Sequence, residues 1–110
     1  MNNEQNDSLT KAAQDILAER RRQMVEEGWD PDHDDLHDQG EIASAAAAYA
    51  VASVAPNAFL DSSPTLWPWH ESFWKPGTPR KMLIKAGALI LAEVERLDRL
   101  PGPSGEVAHG

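Results

Sequence analysis

The segment Thr78 to Leu100, TPRKMLIKAGALILAEVERLDRL, decides the fold because it carries the clearest helix start in the chain. Thr78 can cap a helix through its hydroxyl. Pro79 suits the first turn, where its fixed φ is already helical and its missing N–H has no partner to lose. The pattern continues to about Leu100 and is stopped by Pro101-Gly102-Pro103. From Met82 to Ala92 only Lys85 is charged, so this helix is apolar nearly all round. Such a helix is buried on more than one side, and in a chain with three helices that implies an interface between copies. Glu93 with Arg96, and Glu95 with Arg99, have pair spacing and read as a solvated face. Asp98 differs from them, since it shares a face with Gly87, Leu91 and Val94.

Working outward, a first helix is expected from about Leu9 to Glu27, capped by Asp7 or Ser8 and closed by Gly28. Its inward stripe is Leu9, Ala12, Ala13, Ile16, Leu17 and Met24. Arg20 lies near the middle of that stripe, with Gln23 at its margin and Glu27 two turns on. A charge on an inward face needs a partner or a ligand. Arg20 therefore either joins an ion pair or snorkels at the bundle edge, or it faces a polar pocket. Glu26 and Glu27 sit against the negative end of the helix dipole, a placement that a cation would relieve.

A second helix is expected from about Gln39 to Val54, stopping before Pro56, with Asp38 and Glu41 spaced as a capping box. It is rich in alanine, which favours both helix formation and close approach of another helix. Between Pro56 and Pro79 the segment PNAFLDSSPTLWPWHESFWKPGTP is too dense in proline for a long helix and too aromatic for a free linker. It reads as an ordered crossover loop with a short helical turn near His70 to Trp74. Its aromatic residues form either a satellite core or a stacking wall for a base. The expected architecture is all-α: three principal helices with a long aromatic, proline-rich crossover loop, completed as a helical bundle in a homo-oligomer. Residues 8–100 form the single domain, and 1–7 and 101–110 are expected to be disordered.

The 110 residues carry 18 Asp plus Glu against 10 Lys plus Arg, a formal net charge of -8. That balance disfavours duplex nucleic acid and anionic membranes as partners. Without cysteine there is no disulfide, Cys-ligated zinc or thiol nucleophile, and the chain opens on MNNEQND rather than a secretory leader. No apolar run reaches the roughly 20 residues of a membrane span. A cytoplasmic protein is expected.

The site-like stretch is GWDPDHDDLHDQGE, Gly28 to Glu41, whose crowded carboxylates repel one another unless cations or arginines relieve them. Pro31 and the aspartates argue for a loop there. Carboxylates suit Mg²⁺ or Mn²⁺, which makes Glu26, Glu27, Asp34, Asp35, Glu41 and Asp98 candidate metal ligands. Glu27, Asp35 and His37 are the candidate catalytic groups, with histidine able to serve as a general base. Alternatively, aspartates bonded to their own backbone merely shape the loop. Arg20, Gln23, Trp29, His33, Trp67, Trp69, Trp74, Lys75 and Arg80 are the candidate ligand-binding residues. Lys75, Arg80, Lys81 and Lys85 flank the start of the last helix, where phosphate would sit beside indoles able to stack a base.

The combination ERRRQ, GWDPDHDD with His37, GEIASAAAAYA, WPW followed by FWKP, and RKMLIKAGALILAEVERLDR resembles a family of small phage and prophage proteins, from about Glu19 to Arg99. More distantly, the helical layout is similar to the MazG-like all-α nucleoside triphosphate pyrophosphohydrolases. Glu95-Arg96-Leu97-Asp98 matches their ExxD motif in letters, while helix 2 offers Glu41 followed by alanines. The resemblance implies a Mg²⁺- or Mn²⁺-dependent oligomer that cleaves nucleotides between the α and β phosphates, working in the cytoplasm of a bacterial host. Two other functions fit the same features. One is a non-catalytic protein that sequesters a nucleotide-derived signal, and the other is a module whose aromatic loop docks a host protein.

Overall fold

The computed structural model describes residues 8–101. It is all-α, and among the described residues there is no strand. The principal helices are α1 (Lys11–Glu26), α3 (Glu41–Ser53) and α4 (Pro79–Asp98), with a short α2 (Pro31–Asp35) between the first two. The crossover from α3 to α4 contains two 3₁₀ turns, Pro56–Phe59 and Glu71–Phe73, the second within the turn expected near His70 to Trp74. No helix among these is long and apolar enough to cross a membrane. The expectations for 1–7 and for the tail beyond Pro101 lie outside the described residues.

Local chemistry sets the boundaries. Thr78 Oγ1 accepts from Lys81 N at 3.2 Å and starts α4 as expected. Thr10, rather than Asp7 or Ser8, caps α1, accepting from Ala13 N at 3.1 Å. Gly28, at φ 75°, turns the chain so that Trp29 N donates to the Gln23 carbonyl at 3.0 Å. Where a loop is expected, Asp30 caps α2 through His33 N at 2.9 Å with Pro31 in the first turn. Aspartates in that first turn favour the helix, because they sit at the positive end of its dipole. Helix α3 begins later than expected, at a left-handed Gly40 with φ 84°. Glu41 still reaches back, but to Gln39 N at 2.7 Å, and Asp38 does not cap the helix.

The core lies mainly between α3 and α4. Ile42, Ala45, Ala48, Tyr49 and Ala52 pack there with Met82, Ala86, Leu89 and Ala92. The small residues of α3 let the two helices approach closely, as the alanine run suggests. Trp67 and Trp74 join this core from the crossover, with Trp74 stacked on Tyr49 at 4.5 Å between centroids. Helix α1 packs on the other flank of α4, with Ile16 against Gly87.

The inward face of α1 differs from the expected stripe. Leu17 and Ala12 are exposed, while Arg20 and Gln23 are its buried residues. A guanidinium is tolerated there because all its nitrogens find acceptors, as described below. The α4 pairs also differ: Arg96 is buried against Glu93, whereas Glu95 and Arg99 reach α1 and α2. Ile90 and Val94 remain half exposed beside Ala43, Ala46, Ala47 and Ala50, lining an apolar groove of about 230 Å³.

Candidate functional site

Two clefts of about 410 Å³ each open on the side of the molecule formed by α1, the α2 segment, the crossover and the start of α4. The aromatic cleft is lined by Trp29, His33, His37, Trp69, His70 and Phe73, with Glu27 at its edge. The basic cleft is lined by Lys75, Lys81 and Lys85, together with Arg22, Glu19, Glu27 and Ile84. A narrow space of about 10 Å³ lies between them, bordered by Trp29 and Phe73 from the first, Lys75 and Lys85 from the second, and Gln23.

A buried ion pair builds the aromatic cleft. Arg20 donates from Nη2 to Asp34 Oδ2 at 3.0 Å, from Nη1 to the Trp29 carbonyl at 3.0 Å, and from Nε to Glu95 Oε1 at 3.1 Å. Asp34 Oδ1 stands 3.2 Å from His33 Nδ1. Helix α1 therefore fixes both the backbone of Trp29 and the ring of His33. His33 stacks on Trp29 and lies 4.4 Å from the His37 ring, and Trp69 packs edge-on to His37 and tilted against Trp29. His37 Nδ1 lies 2.9 Å from the His33 carbonyl, which can only accept. Nδ1 therefore carries a proton and donates it to that carbonyl. Trp69 Nε1 is buried with no hydrogen-bond partner among the described residues.

The basic cleft is organised by Glu19 and Arg22, one turn apart on α1. Arg22 donates from Nε and Nη2 to the two Glu19 oxygens at 2.8 Å each, and from Nη1 to Glu27 at 3.1 Å. Burial opposes ionisation of Glu19, but the Arg22 guanidinium outweighs it and holds this carboxyl below its usual range. Lys85 donates to the Lys75 carbonyl at 3.0 Å and lies over the Tyr49 ring. Burial lowers the pKa of Lys85, and pushes that of the Tyr49 hydroxyl, which accepts from Lys75 N, up to about 12. Four cations face two carboxylates in this cleft, so it is locally positive on a chain of net charge -8.

The structure thus brings together Gln23, Glu27, Trp29, His33, His37, Trp69 and Lys75 from the residues nominated by sequence. Arg20 and Asp34 lie behind the aromatic cleft as its support. Trp67 and Trp74 face the core, with their indole N–H groups bonded to the His70 and Phe59 carbonyls. Arg80 is drawn away by Asp15 at 3.0 Å. Glu26 pairs loosely with Arg22, Asp35 binds Arg99 at 2.8 Å, Glu41 is spent on its helix start, and Asp98 is exposed at the end of α4. The six carboxylates proposed for Mg²⁺ or Mn²⁺ do not converge. Among the described residues no three His, Asp or Glu side chains are grouped to hold one ion. Glu26, Glu27, Asp34 and Asp35 are instead each paired with an arginine.

Glu19, His70 and Phe73 line the clefts without having been singled out by sequence, whereas Lys81 and Lys85 belong to the cations expected beside phosphate. Glu19, Arg22 and Gln23 recur at helical spacing, and that periodicity was the available signal. Comparison of the chain with protein families, with curated proteins and with solved structures finds no match.

Proposed function

We propose that this protein binds a nucleotide or a nucleotide-derived molecule and holds it without cleaving it. The observation that supports this is the junction of an aromatic cleft with a lysine-lined one, on a chain whose overall charge would otherwise repel anions. A planar base would stack among Trp29, Trp69 and the histidines, where each stacked base is worth about 1–3 kcal/mol. Its phosphates would lie against Lys75, Lys81 and Lys85, at the positive end of α4.

Metal-assisted pyrophosphohydrolysis is the second reading. It draws on Glu27, the nominated carboxylate that borders both clefts and so would stand near the bonds joining base-bearing and terminal phosphates. A panel of nucleoside mono- and triphosphates, each with and without Mg²⁺ or Mn²⁺, separates the two. Binding predicts a rise in melting temperature with no pyrophosphate released. Sustained pyrophosphate release would replace it with hydrolysis, and the absence of any thermal shift would refute both.

A further inference from the structure

Gln23 is 1% exposed, yet its Oε1 has no hydrogen-bond partner among the described residues. A buried acceptor left unpaired is costly, by an amount comparable to a lost hydrogen bond. The amide cannot simply turn over to cure this. Its Nε2 donates to Glu19 Oε2 at 3.3 Å, and reversing it would set an amide oxygen against a carboxylate that Arg22 holds in place.

Gln23 borders the narrow space between the aromatic and basic clefts. At about 10 Å³ that space admits one water-sized group and no ring. In a nucleotide, the group between base and phosphate is the sugar, and its hydroxyls are donors of that size. Resting on the nucleotide reading above, we infer that Gln23 Oε1 accepts a hydrogen bond from a ribose hydroxyl, making Gln23 the residue that selects ribonucleotides over their 2′,3′-dideoxy counterparts. A site built to pair a hydroxyl discriminates against the analogue that lacks it, because its own polar group is then left unsatisfied.

The test is a calorimetric comparison of ATP, GTP, CTP and UTP with their 2′,3′-dideoxy forms, on wild-type protein and on Gln23→Met. For whichever base binds, the wild type should prefer the ribonucleotide by about tenfold, the equivalent of one net hydrogen bond. Gln23→Met should bring the two affinities together by weakening the ribonucleotide alone. Equal affinities in the wild type would mean that a water satisfies Gln23, and would overturn the inference while leaving the nucleotide reading intact. A preference that survives in Gln23→Met would also overturn it. Failure of every nucleotide to bind would instead remove the reading on which it rests. The wild-type comparison decides the matter even where the variant does not fold.

Discussion

The Arg20 guanidinium on α1 lies 3.0 Å from the Asp34 carboxylate on α2, with side chains only 5% and 3% exposed. This pair joins the helical scaffold to the segment that carries Trp29, His33 and His37, so the shape of the aromatic cleft depends on it. Removing one member leaves the other charge buried without compensation. Arg20→Met should therefore lower the unfolding free energy by about 3–5 kcal/mol in urea titrations. Adding Asp34→Leu should recover much of that loss, since an apolar pair of similar volume tolerates the site. A loss under ~1 kcal/mol for the single variant, the range of exposed pairs, would show that the bridge does not hold the segment.

Trp69 and Lys81 test the two ends of the groove separately. Trp69→Ala should weaken nucleotide binding by roughly one to two orders of magnitude, the loss of one stacking partner. Lys81→Ala should weaken triphosphates more than monophosphates and leave adenosine and guanosine unaffected. Lys81 is exposed, so its removal spares the core. Calorimetric titration reads both effects, and an equal loss across nucleosides and triphosphates for Lys81→Ala would place the phosphates elsewhere.

Alkaline pH should loosen the basic end early. Burial places the folded pKa of Lys85 below the ordinary 10.5, so the folded state gives up this proton before the unfolded chain does. Its effect on folding is unfavourable while the ammonium is charged, and is relieved as pH rises through the lowered pKa toward 10.5. For an anionic ligand the sign is opposite, because deprotonation removes a positive charge from the cleft. Affinity for triphosphates should fall with rising pH before 10.5 is reached, and Lys85→Arg should delay that fall. An affinity that is flat until 10.5 in the wild type would contradict the assignment.

Acid acts through Glu19. Its carboxyl is held below the ordinary 4.5, so the Glu19–Arg22 bridge adds stability that is fully present above that value and is lost as pH falls through the lowered pKa. Thermal melts should show the wild type losing stability below 4.5 more steeply than Glu19→Gln. Parallel curves would show that the bridge does not act on folding.

Among the described residues, the groove lined by Ile90, Val94 and the α3 alanines carries Glu93 as its one charged lining residue, and Glu93 is bound to Arg96. We expect a second copy to cover it. Sedimentation should give an oligomer for the wild type and a monomer of unchanged helicity for the double variant Ile90→Glu with Val94→Glu. A wild type that remains monomeric across concentrations would end this expectation.

The sequence displayed the helices more plainly than the site. Thr78-Pro79, Gly28 and the alanine run act through neighbours in the chain, so their consequences are local and readable. Asp30-Pro31 carried the same kind of signal for α2, but the surrounding aspartates obscured it. Arg20 was visible as a charge on an inward face, whereas its partner Asp34 became identifiable only once α2 had folded back onto α1. Trp67 and Trp69 are two residues apart and chemically alike. One enters the core and the other the cleft because the crossover's path, rather than its composition, decides which way each ring faces. Lys85 is legible both as the single charge of an apolar stretch and as one of the cations flanking the start of α4, and it lines the basic cleft.

Equilibrium dialysis of the wild-type protein against a mixture of ribonucleoside triphosphates, followed by chromatography of whatever denatured protein releases, tests the central claim most directly. Retention of one nucleotide, stoichiometric with its site and recovered intact, is the predicted result. Recovery of a monophosphate with free pyrophosphate, or retention of no nucleotide, would contradict it.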